Sequence, residues 1–234
     1  MPDERERYEI LRRKWPRLFE NPPGAAYEIL FEPAEVREAE ETYRSLLEKW
    51  GAPASDTRTG VVYSDPWMTI ARDAVRRPDG TLGAYGRIIP SRDGPGVAVL
   101  PLIDGQVVLL RISRHATREI HLEIPRGFGE SGVSAADQAR AELHEEIQAK
   151  ADSLTSLGRL HVDTGATAGA TELFFAQISA YGQPQAAEGI LGIEVKPPQE
   201  VAGLIRDARI TDSFTTATFT RAWLHGLLPG LPAL

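Results

Sequence analysis

Apolar positions recur at helical spacing twice near the start of the chain, over 5–19 and 33–50, with Asn21-Pro-Pro-Gly24 between them. In the second stretch Pro33 suits a first helical turn, and Val36, Tyr43, Leu46, Leu47 and Trp50 form one stripe. Gly51-Ala-Pro53 ends it. From Thr59 the pattern shortens to strand-like runs: 61–63, 67–75 and 82–89, with Arg77-Pro-Asp-Gly80 as a turn between the last two. Two more runs, 97–103 and 106–112, are split by Asp104-Gly105, a two-residue hairpin signal. Later strands are expected at 157–162 and 172–178, and helices at 199–207 and 213–227. This order predicts an α/β protein with a mixed sheet sandwiched by helices. It divides into an N-terminal helical extension, 1–55, and a main domain, 56–234, whose first part, 56–90, is a β-strand region. There is no internal repeat and no low-complexity tract.

A further helix is expected from Ser134, which fits an N-cap with Asp137 three residues on. Ala136, Ala139, Leu143 and Ile147 give it a stripe that faces a core. Glu142, Glu145 and Glu146 stand at i, i+3 and i+4, so the three carboxylates are neighbours on another face. Like charges that close repel unless a cation neutralises them. A hard divalent ion takes carboxylate oxygens together with waters and substrate phosphates, so the cluster reads as a metal site for phosphate chemistry. The competing reading is a solvated acidic face with Glu146 paired to Lys150.

The residues around this helix carry a family resemblance. Gly127 and Glu142-Leu143-x-Glu145-Glu146 match, in register, the Nudix box G-x5-E-x7-R-E-U-x-E-E-x-G-U, in which U is aliphatic. The segments 107–114, 122–127, 157–165 and 172–176 resemble the ADP-ribose pyrophosphatase-like members, and the likeness extends over roughly 60–225. It implies the Nudix α/β/α sandwich and metal-dependent hydrolysis of a nucleoside diphosphate linked to another moiety, with ADP-ribose or a related nucleotide sugar as substrate. It further implies Mg²⁺ or Mn²⁺ held by Glu142, Glu145, Glu146 and the carbonyl of Arg126. Arg111 and Arg114 lie where such pyrophosphatases place substrate-contacting arginines, and guanidinium forks suit phosphate oxygens; a surface ion pair is the other reading. The base is Glu142 or, from the polar loop 182–189, Glu188; Glu172 is a further candidate base or metal ligand, and Glu146 completes the catalytic set. Trp67 offers a ring that could stack on a nucleobase, or simply pack. Relatives are commonly homodimers that exchange N-terminal strands, which here would be residues 59–89.

Three box positions depart from the pattern: Val133 replaces the first Glu, Ala141 the Arg, and Gln148 the closing Gly. The missing Glu and Arg would pair to brace the loop, and losing both together avoids stranding one buried charge. Gln148 implies a later helix end, near Lys150 or Asp152. These departures motivate the alternative of a catalytically weak domain that binds a nucleotide-derived ligand or a protein partner. A second motif, Gly127-Phe-Gly129-Glu-Ser-Gly132, satisfies G-x-G-x-x-G. The helix begins beyond its glycines and the next strand lacks a suitably placed acid, so a dinucleotide fold is disfavoured.

Composition narrows the field. The 234 residues carry no cysteine, which excludes disulfides and thiolate metal sites and accords with a reducing cytoplasm. No apolar run is long enough to span a membrane. A net charge of −7 argues against broad nucleic-acid binding. The five histidines lack metal-ligand spacing.

Overall fold

The computed structural model describes residues 4–53, 56–184 and 188–232, which fall into two compact units: Met1–Ser91 with Asp163–Gly169, and Arg92–Val162 with Ala170–Leu234. The expected boundary at 55/56 borders residues 54–55, outside the described residues. The segment expected as an extension packs with the first strands inside one unit.

In the first unit, β3 (Met68–Arg76) is central. β4 (Leu82–Pro90) pairs with it along its whole length, while β2 (Gly60–Ser64) and the short β1 (Glu28–Ile29) share its other edge. Helix α1 (Glu4–Lys14) buries Tyr8 and Leu11 against Val61, Ala71 and Ile89. Helix α2 (Pro33–Lys49) buries Val36 and Ala39 against Ala74 and Leu82. Ala71 and Ala74 differ in parity along β3, so the two helices cover opposite faces of the sheet. The first helix stops at Lys14 rather than continuing to Phe19. Trp15 precedes Pro16 and leaves the helical region, and Pro16–Phe19 forms a 3-10 turn. Trp50, expected in the apolar stripe, is exposed beyond the end of α2.

A buried ion pair ties the first helix down. Asp73 on β3 accepts a short hydrogen bond from the Tyr8 hydroxyl and lies 2.6 Å from Nε of Arg87. Arg87 also donates to the Leu18 carbonyl at 2.6 Å and lies over the Phe19 ring. Burial, then the Asp73 charge, pushes the Tyr8 hydroxyl far up, so it stays a donor.

The second unit is built on a mixed sheet in the order β11-β6-β5-β10-β9. These strands are β5 (Gly96–Ile103), β6 (Gln106–Arg114), β9 (Ala151–Leu160), β10 (Thr171–Ile178) and β11 (Ile190–Lys196). β10 runs parallel to β5, and the other neighbours are antiparallel. Alternation on β5 and β6 makes two cores. Val97, Val99, Val108, Leu110 and Ile112 meet Ala139, Leu143 and Ile147 of α3 (Ala135–Ile147). Ala98, Leu100, Val107 and Leu109 meet α4 (Pro198–Arg206) and α5 (Ser213–Leu224) through Val201, Leu204, Phe219 and Ala222. The expected helix–sheet–helix layering is therefore present.

The Asp104-Gly105 turn has both φ angles positive, 48° and 76°, as the hairpin requires. Beyond it β5 and β6 pair only over 102–103 and 106–107. The space between them is filled by β7 (Glu119–Glu123) on β6 and β8 (Arg126–Gly127) on β5. That insertion delivers Arg126 and Gly127 to the α3 side chains.

Candidate active site

Helix α3 starts as its cap predicts. The Ser134 hydroxyl accepts from the Asp137 N–H at 3.1 Å and donates to the Asp137 carboxylate at 2.7 Å. It ends earlier than expected, at Ile147, with Gln148 left-handed at φ 52°. Gln148 thus does what a closing glycine would do, which corrects the later end inferred from its lacking that glycine's freedom. The C-terminal carbonyl of Ile147 accepts from the Gly182 N–H at 2.8 Å, which fastens Gly182 to the helix end.

The carboxylates separate by environment. Glu142 and Glu146 are buried, 7% and 2% exposed, whereas Glu145 is exposed. They are therefore not a solvated face, and the Glu146–Lys150 pair is absent; Glu146 instead accepts from the Arg126 backbone N–H at 3.3 Å. Neither Glu142 nor Glu146 makes an ion pair among the described residues. Burial first, and the charge of Glu142 second, push the Glu146 carboxyl up to about 8. Glu142 is also raised, chiefly by burial, against the opposing bond from Gln138, with Glu145 and Glu188 adding repulsion.

A Cβ at Gly127 would lie 2.1 Å from a Glu142 carboxylate oxygen, so the carboxylate rests against the bare Cα and would have to shift if a side chain were added. Gly129 is the more constrained, since a Cβ there would lie 2.2 Å from the Pro95 backbone carbonyl oxygen.

Glu188 is exposed, yet close enough for its charge to raise both Glu142 and Glu146. Its loop is fastened at Gly182 and at Gly189, whose carbonyl accepts from Ser113 N–H at 2.9 Å; residues 185–187 of the expected loop lie outside the described residues. Glu172 is ion-paired to Arg159 at 2.9 Å across β9 and β10.

The two strand arginines part company. Arg111 is paired across the sheet with Leu122 and follows the parity of Leu109, which puts it on the α4/α5 face. Arg114 shares the α3 face with Glu123, to which it donates three bonds of 2.5–3.1 Å. Glu123 also accepts from Arg126 Nε at 3.1 Å. Burial opposes ionisation of Glu123, but these two arginines prevail and hold its carboxyl below the usual range. Trp67 lies in the first unit, in the turn before β3 rather than in the strand, and is exposed.

Two participants are not among the residues that the sequence pattern singles out. Glu123 is an acid inside the apolar run Leu122-Glu-Ile124, and that placement is its signal. Gln138 sits one helical turn before Glu142 and is buried; its amide joins Glu142 to the backbone of Glu130. That bond connects loop and helix where the Val133 and Ala141 positions no longer can by charge.

A divalent cation fits the donor set by charge: two buried carboxylates with no ion-pair partner among the described residues and only the more distant Arg114 charge to offset them, a third on the same helix and a fourth beside them. Among the described residues no three acids or histidines are grouped as a ready cage.

Residues 59–88 match a family model described as the nucleoside diphosphate sugar hydrolase N-terminal domain. No curated protein matches the chain. Among solved structures, one described as an ADP compounds hydrolase superposes with a TM-score of 0.63 at 21% identity, covering 72% of this chain and 92% of that one. At that identity the likeness is one of fold. The chain therefore shares the mixed α/β fold of that ADP compounds hydrolase. No helix among the described residues is long and apolar enough to cross a membrane.

Proposed function

We propose that the chain hydrolyses the diphosphate of a nucleoside diphosphate linked to another moiety, with ADP-ribose or a related nucleotide sugar as the leading substrate. The observation that carries this is the pair of buried carboxylates, Glu142 and Glu146, set without an ion-pair partner among the described residues on the helix that bears the box acids. The matching N-terminal family description and the ADP compounds hydrolase fold support the substrate class.

Glu142 and Glu146, with Glu145 and the Arg126 carbonyl, would hold Mg²⁺ or Mn²⁺. Such an ion, when bound, would supply positive charge to offset the phosphates and Lewis acidity to activate water. The water oxygen attacks phosphorus and the bridging P–O bond breaks, giving two monophosphates. Glu142 or Glu188 accepts the water proton. Gly127 leaves room for the Glu142 carboxylate, and Glu123 keeps Arg114 and Arg126 oriented beside the acids.

Phosphate release from a panel of nucleoside diphosphate derivatives with Mg²⁺ or Mn²⁺ tests the reading. Glu146→Ala is expected to abolish metal-dependent turnover while retaining a cooperative thermal transition; turnover that survives it removes the mechanism. The box departures at Val133, Ala141 and Gln148 favour one second reading, a catalytically weak domain that binds a nucleotide-derived ligand or a partner protein. Ligand binding by titration calorimetry without any product would select it. The active assembly is proposed to be a homodimer, and a monomer mass by sedimentation at assay concentration would overturn that.

A further inference from the structure

Gln138 takes no part in the reaction as written, yet it is one of the few polar side chains buried in the second unit, at 6% exposure. Gln138, Glu142 and Glu146 repeat every four residues and line one buried ridge of α3. The Gln138 Nε2 donates to a Glu142 carboxylate oxygen at 2.8 Å. Its Oε1 accepts from the Glu130 backbone N–H at 3.4 Å, a longer and weaker bond. Glu130 belongs to a turn closed by the Val133 N–H to Glu130 carbonyl bond, with Gly132 left-handed at φ 81°.

Only an amide of this length does both jobs. A carboxylate would accept from the loop and repel Glu142. A shorter amide would lose reach, and an apolar side chain would leave Glu142 buried without its donor. The Gln138 amide thus bonds the Glu142 carboxylate where it rests against the bare Cα of Gly127.

We propose that Gln138 is a positioning residue for the reaction: a neutral strut that aims the Glu142 carboxylate and couples its orientation to the 130–133 turn. This rests on the hydrolase reading for its catalytic consequence, but its structural content stands apart from it. The Gln138 amide bonds Glu142 and the Glu130 backbone, so its removal acts through Glu142 and the turn.

The test uses the full chain with two variants. Gln138→Met keeps the volume and loses both bonds; Gln138→Glu keeps the loop bond and loses the donor to Glu142. Gln138→Met is expected to speed amide exchange at Glu130 and to weaken Mn²⁺ binding, read by electron paramagnetic resonance without substrate. Both variants are expected to lower kcat on the order of tenfold, at nearly constant KM, because a misaimed group costs turnover rather than binding. Gln138→Glu is expected to leave the Glu130 amide protected. Unchanged Mn²⁺ affinity and unchanged Glu130 exchange in Gln138→Met overturn the strut, and so does full kcat in Gln138→Glu. If Gln138→Met fails to fold, the Gln138→Glu turnover decides. If the wild type turns over nothing in the panel, the hydrolase reading has failed, and Mn²⁺ affinity and Glu130 exchange still decide this one.

Discussion

Glu146 is held protonated up to about pH 8, against an ordinary carboxyl value near 4.5, by its burial and by the charges of Glu142 and Glu188. Between those values the folded protein keeps a proton that the unfolded chain has released. Unfolding free energy must then fall as pH rises through that window. Glu142, shifted in the same direction, adds to the slope. The thermal midpoint of the metal-free protein is expected to be lower at about pH 8 than at about pH 5.5. Glu146→Gln, which carries a permanent neutral isostere, is expected to flatten much of that fall. An unchanged slope in the variant would show that Glu146 is not the titrating group. Spacing alone reveals that three acids cluster on one helix, but not that two are buried and one is wet. Residues 126–127, laid against Glu146 and Glu142, contribute to that difference, a contact from outside the helix.

Elements with strong local signals are legible in the amino-acid sequence: α2 with its first-turn proline, the Asp104-Gly105 hairpin, and α3 with its Ser134 cap. The losses have physical causes. β9 begins at Ala151, six residues before the apolar run that marks it, because its first half is a largely exposed edge segment, Ala-Asp-Ser-Leu-Thr-Ser. β7 and β8 are short and owe their pairing to the gap between β5 and β6, which no local pattern announces. The end of α3 departs from expectation because a glutamine can occupy the left-handed region when the following contacts reward it, here the Gly182 and Ala149 N–H bonds to the last turn. That conformation still carries strain for a residue with a Cβ. Gln148→Gly is accordingly expected to raise stability by about 1 kcal/mol, read as a higher denaturant midpoint at constant m-value. A fall would mean that the Gln148 side chain, which packs beside Gly182, outweighs the backbone gain.

At the scale of the chain, the first unit carries a buried charge pair within its apolar packing. Arg87 is 15% exposed at its side chain and Asp73 3%, so removing one partner strands the other in low dielectric. Arg87→Ala is expected to destabilise the protein by about 3 kcal/mol in chemical denaturation; a loss under half that would show that water relieves Asp73. The family match at residues 59–88 covers β2, β3 and most of β4, the strands that carry both partners, while the site acids all belong to the second unit. The Tyr8 hydroxyl completes the coordination of Asp73 from a helix that bears no chemistry of its own. Anyone trimming the gene to its recognisable motifs would therefore discard the donor and keep the acid that depends on it, and a shortened product that precipitates would say nothing about catalysis.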